Sequence, residues 1–231
     1  MTIKRIIFAA LFVLAPLSTA SAAQYVVAEA RGIGIAVGSV IDPAKPLDLK
    51  QGQHLVLISD SGQTIKLDGP YHKAPAAEHG VQLAAALGGL VTEGKARTSE
   101  IGTTRGAAPR APLPQAWVID ASAPGNACLM QNRSPVLWRP VANEAADVVI
   151  MPTDRSWRAE THWPKGASSL KLKDDLGVHG DASYFISVNG SESAIAIASV
   201  PAVLDTDKMR AAWLIQKGCD RQAQALLRST Q

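Results

Sequence analysis

The chain has 231 residues, of which 47% are hydrophobic and 19% charged, with a formal net charge of +3. This is an ordinary globular composition, long enough for one large or two small domains. It makes no case for nucleic acid: no basic helix and no basic stripe interleaved with aromatics occurs, and removing Lys4 and Arg5 with the leader described next leaves a charge of about +1.

Residues 1–22 read as a signal peptide. Lys4 and Arg5 form the positive start, Ile6 to Leu17 the apolar stretch, and Ala20-Ser21-Ala22 a small-residue cleavage site after Ala22. The apolar stretch, about 12 residues, is short for a membrane span. No cysteine follows closely, no later segment reads as transmembrane, and the expected location is periplasmic or secreted. Export makes the cysteines informative. Cys128 and Cys219 are the only two in the chain, and an oxidising compartment predicts a disulfide between them that closes a loop of about 90 residues.

The mature chain opens with a predicted strand, Tyr25 to Arg31. A second is expected where Ile33, Ile35 and Val37 alternate with Gly34, Ala36 and Gly38. Gly32-Ile33-Gly34 does not make a dinucleotide loop, because Pro43 and Pro46 follow where a helix would have to begin. The sharpest pattern lies between Leu47 and Tyr71. His54 to Ser59 and Thr64 to Leu67 flank Asp60-Ser61-Gly62 and predict a β-hairpin, with Ile65 and Leu67 on one face and Asp68-Gly69-Pro70 as its end. Val81 to Val91 carries Leu83, Leu87, Leu90 and Val91 at helical spacing. Residues 93–115, rich in Gly, Pro, Thr and Ala, read as a linker.

Beyond the linker the character changes, and all five tryptophans lie there. Short strands are expected at Trp117–Ile119, Val136–Trp138, Asp147–Met151, Trp157–Trp163, Ser169–Leu172, Tyr184–Val188 and Ala194–Val200, a β-sandwich pattern. Asp205 or Thr206 can cap a helix through Lys217, Gly218 fits its stop, and Asp220 can start a second short helix. The expected fold is mainly β: residues 24–92 a β-domain with a short helix, 116–204 a sandwich, 205–231 a helical tail that the disulfide would pin to the sandwich.

Leu49, Gly52, Leu55, Leu57, Gly62, Ile65, Leu67, Asp68 and Gly69 follow one another as in FecR-like domains, the β-rich periplasmic modules of bacterial envelope signalling proteins, which residues 24–75 resemble. Leu137-Trp138-Arg139-Pro140, with Ala145 to Met151 and Tyr184 to Val188, resembles the Ig-like modules found beside them. The whole is similar to exported proteins of Gram-negative bacteria that share such a start, a Cys followed by Leu-Trp-Arg-Pro, and a Trp-Leu…Gly-Cys end. These resemblances imply an envelope location and no particular activity. With no cytoplasmic segment expected, the chain would not itself act as an anti-sigma factor across a membrane.

Few residues suggest chemistry. Ser168-Ser169-Leu170-Lys171 and Ser187-Val188-Asn189 match two motifs of penicillin-binding enzymes, but the serine should open a helix, the motifs lie too close together, and no Lys-Thr-Gly follows. No Gly-x-Ser-x-Gly elbow occurs. The five histidines show no zinc spacing, and Asp174-Asp175 before Gly177 lacks the ligand series of a calcium loop. No cofactor or metal is expected. Trp138, Trp157 and Trp163 are the candidate binding surface, able to stack on sugar rings or fill a partner's pocket; a place in the sandwich core is the other reading. The expected function is a non-enzymatic exported binding or sensing protein whose partner is an envelope protein or cell-wall glycan. The alternatives are a cell-wall hydrolase or transpeptidase and a purely structural envelope protein.

Overall fold

An unbroken apolar run and a strictly alternating one lie side by side in the first sheet, and burial explains both. The computed structural model describes residues 24–88 and 110–230, so the expected leader with its expected cleavage site after Ala22, and the expected linker through residue 109, lie outside the described residues. Strands β1 (Tyr25–Arg31), β2 (Val40–Ile41), β3 (His54–Ser59) and β4 (Thr64–Asp68) form an antiparallel sheet in the order β2-β1-β3-β4. The central strands β1 and β3 are covered on both faces. Val26, Ala28, Val56 and Ile58 join one core, while Tyr25, Val27, Leu55 and Leu57 join another with Leu49, Ile65 and Leu67. A strand buried on both faces needs apolar residues at every position. β4 is covered on one face only, so Ile65 and Leu67 are buried while Lys66 and Asp68 are exposed.

The strand expected through Ile33, Ile35 and Val37 does not form. Residues 33–39 are irregular, Gly32 and Gly38 take positive φ (69° and 86°), and hydrogen bonding to β1 is found at Gly38 and Ser39, leading into β2. Glycines offer no side chain to pack and weaken a strand interior. The predicted helix over 81–91 is helical across residues 83–88; its last three positions lie outside the described residues.

The second β unit contains two sheets. β5 (Ile119–Asp120), β7 (Val136–Trp138) and β10 (Ser169–Lys171) form one, in the order β10-β7-β5. β6 (Gly125–Met130), β8 (Ala146–Pro152), β9 (Ala159–Trp163), β11 (Ala182–Val188) and β12 (Ser191–Val200) form the other, in the order β6-β12-β11-β8-β9. Ile119 and Leu137 of the first sheet share a core with Leu129, Val148, Ile150, Trp163, Tyr184, Ile186, Ile195 and Ile197 of the second. β6 was not expected from the sequence. It opens on Gly125-Asn126, and its partner is β12, in parallel register with Ile195 opposite Gly125. Local patterning carries no trace of such a distant pairing.

The tail forms two helices, α1 (Asp207–Gln216) and α2 (Asp220–Arg228). The Thr206 hydroxyl caps α1 by accepting from the Met209 amide at 3.1 Å. At the other end Gly218 takes φ 71° and donates to the Ile215 carbonyl, and Cys219 donates to that of Leu214. α1 buries Met209, Ala211, Ala212, Trp213 and Leu214, more than one stripe, because both β units lie against it. Trp213 Nε1 donates to the Ser199 carbonyl of β12 at 3.1 Å, and Lys217 Nζ to the Ala28 carbonyl of β1 at 2.9 Å. The β3–β4 turn docks on the start of α1. Gly62 has φ 80°, and a Cβ there would stand 2.8 Å from the Lys208 carbonyl oxygen. The tail is therefore a wedge between the two β units. Residues 110–115, at the end of the expected linker, are tied down too: Leu113 is buried in the same core and its carbonyl accepts from Arg228.

Candidate functional site

The expected tryptophan surface does not form. Trp163 is fully buried and Trp138 is 6% exposed, each inside a core. Trp157 is half-buried, packed 6.0 Å from the Tyr184 ring and against Gly177. Large apolar rings at the inward positions of strands fill the interior of a sandwich. Cys128 and Cys219 are joined in a disulfide with Cα atoms 6.0 Å apart, linking β6 to the start of α2.

Leu-Trp-Arg-Pro becomes interpretable once its strand is in place. Residues two apart in a strand face the same way, so Arg139, just beyond β7, falls on the side of Leu137, which is wholly buried. Arg139 is itself only 6% exposed. Its Nε donates to the Ala167 carbonyl at 3.2 Å, and its Nη2 to the carbonyls of Glu144 at 2.8 Å and Pro164 at 3.0 Å. The guanidinium carbon stands 4.8 Å from the centre of the Trp163 ring, a cation–π distance. These contacts gather the 139–144 and 164–167 loops around one planar group. Among the described residues no carboxylate pairs with it. Arg139 is also one of the residues that line a cleft.

That cleft has a volume of about 360 Å³. Ala121, Pro140, Val141 and Val188 give it apolar walls; Asn143, Asn189 and Ser191 bring polar groups. Asn189 and Gly190 both take positive φ (49° and 83°) and connect Val188 to Ser191, which face each other across the hairpin, as in a two-residue type I′ turn. The Asn189 Oδ1 accepts from the Asp147 amide at 2.9 Å. Glu144 is the one acidic side chain lining the cleft, and it is exposed.

A second cleft, about 250 Å³, runs beside the disulfide and is lined by Arg110, Asp120, Asn126 and Arg221, among others. Its Arg221 and Asp120 answer each other, and Arg110 donates to the Pro124 carbonyl at 3.2 Å. Arg221 pairs with Asp120 at 2.5 Å and donates to the Ala111 carbonyl, and the Asp120 Oδ1 accepts from the Ser122 amide and hydroxyl. Buried Gln222 clamps β6 from behind: its Oε1 accepts from the Cys128 amide at 2.6 Å, and its Nε2 donates to the Ala116 and Cys128 carbonyls, both at 2.8 Å.

The remaining motifs assemble no reactive cluster. Ser168 immediately precedes β10 and Lys171 is its last residue; in a strand residues three apart project to opposite sides, so the helical proximity that Ser-x-x-Lys chemistry uses is not built here. Asn189 of the Ser-x-Asn match is the turn residue just described. Three histidines pair with aspartates across neighbouring strands or bridges: His54 with Asp68 at 2.6 Å, His72 with Asp48 at 2.7 Å and His162 with Asp147 at 3.2 Å. No group of three metal-binding side chains occurs among the described residues. Nor is any helix among them long and apolar enough to cross a membrane.

Arg139 was legible only as part of a family-like motif. The signal that points to it is the alternation Leu137, Arg139 in a strand whose neighbours are buried. No protein-family model matches the chain, and no curated protein or solved structure matches it either.

Proposed function

We propose that this protein is an exported, non-enzymatic binding or sensing component of a bacterial envelope, built on a FecR-like first module and an Ig-like second one. The observation that carries the reading is the Arg139 cleft. It is concave, apolar-walled and furnished with a few convergent polar groups, the general character of a small-ligand site, and its volume falls in the usual range of roughly 300–1,000 Å³. Among its lining residues is Arg139, whose guanidinium is held by three carbonyls. The disulfide supports an oxidising location, where such bonds persist.

The test is retention. Immobilised, oxidised protein is incubated with a detergent-free envelope extract and, separately, with purified cell-wall sacculi. Wild-type protein is expected to hold a specific protein or glycan fraction, and Val141→Glu, altered only at an exposed wall of the cleft, to release it. Wild-type protein that retains nothing from either source would sink the binding role.

A further inference from the structure

Resting on that reading, we infer that the Arg139 cleft recognises a carboxylate. Arg139 is more than nine-tenths buried, and its Nε and Nη2 are committed to three carbonyls. Carbonyl dipoles partly replace the water lost on burial, but they do not cancel the charge. A buried charge without an ionic partner is a costly arrangement. A purely structural tie between two loops could be made by a neutral donor. Here the charge is kept, and Arg139 lines the cleft.

The rest of the cleft fits the same ligand. With the Asn189 Oδ1 accepting from the Asp147 amide, the amide nitrogen of that side chain remains as a donor. Asn143 and Ser191 can donate as well. A carboxylate accepts through two oxygens, and charge-assisted bonds to a guanidinium are stronger than neutral ones. Val141 and Val188 offer apolar contact to the carbon skeleton that bears it. One carboxylate already stands at the cleft, on Glu144, but its side chain is not paired with Arg139; a like charge there weakens a bound anion rather than replacing it.

The carboxylate could belong to a peptide chain end or to an acidic sugar, and the experiment separates them. Amide and side-chain ¹H–¹⁵N spectra of the full oxidised chain are recorded with N-acetyl-Ala-Ala as the free acid and as its amide, and with galacturonate and galactose, each to ~10 mM, a concentration suited to weak single-site binding. At least one acid is expected to shift the Arg139 Nε, Asn189 and Ser191 signals saturably, with its neutral counterpart silent; which acid does so identifies the source. Glu144→Gln should tighten that binding about threefold by removing a like charge. Val141→Glu should abolish it, since the new carboxylate competes with the ligand for the Arg139 charge. Both positions are exposed, so neither variant threatens the fold. No saturable shift from either acid, or equal shifts from acid and neutral forms, overturns the inference. Envelope retention without any acid response would remove the carboxylate assignment and leave the binding role standing; loss of both removes both.

Discussion

Arg221 and Arg139 each line a cleft of the second β unit, and their surroundings give them opposite parts. Arg221 meets the carboxylate of Asp120, whose side chain is 10% exposed; Asp120 also accepts from Ser122, and Arg221 donates to the Ala111 carbonyl. Beside it run the disulfide and the Gln222 clamp, so the cleft is a seam where the tail is fastened to β5 and β6. Arg139 is more buried, its guanidinium is hydrogen-bonded only to carbonyls and lies over the Trp163 ring, and among the described residues no carboxylate answers it. Cleft size does not tell a joint from a site. What does is whether the charges at its wall are already answered.

That contrast predicts the single largest stability loss at the seam, with ligand recognition spared. Replacing both cysteines by serine removes a cross-link across 91 residues and should cost about 4 kcal/mol in denaturant unfolding. The folded fraction should still give the carboxylate response; losing it would join the two clefts into one functional unit and break the comparison. Arg139→Met should come next, at about 3 kcal/mol, because three loop carbonyls lose their donor while packing over Trp163 is kept. Here recognition should vanish along with the stability. Gln222→Leu should cost about 2–3 kcal/mol by leaving the Cys128 amide and two carbonyls unpaired in the core, again without touching recognition.

Much of the scaffold was readable from local pattern, and the reasons are local. The hairpin of β3 and β4 follows from alternation and a turn, and the start of α1 and its stop from Thr206 and Gly218, whose capping bonds reach only a few residues along the chain. What escaped depends on distant partners. β6 is a strand because β12 lies beside it. The tail is a wedge because Gly62 lets the β3–β4 turn reach Lys208, and because Thr206 donates to the Asp60 carbonyl 146 residues away. The tryptophans were ambiguous because a ring at an inward strand position and one at an outward position read alike until the register is known. Arg139 was hidden for a related reason: a charged residue is assumed to be exposed, and only the burial of both Leu137 and Trp138 before it shows that neither side of this strand faces water.

The smallest expected effect is the most pointed test of the seam. Arg221 is 28% exposed at its side chain, so water screens part of its attraction to Asp120 and the pair is worth less than a fully enclosed one. Removing it also does not strand the carboxylate, because the Ser122 amide and hydroxyl still donate to it. Arg221→Gln should therefore cost no more than about 1 kcal/mol in urea unfolding, and the loss should shrink as salt is raised. A loss as large as that of Arg139→Met would mean that Arg221 is held as a buried, unscreened charge. The two arginines would then differ in their partners but not in their energetic weight, and the division between joint and site would have to rest on the ligand experiment alone.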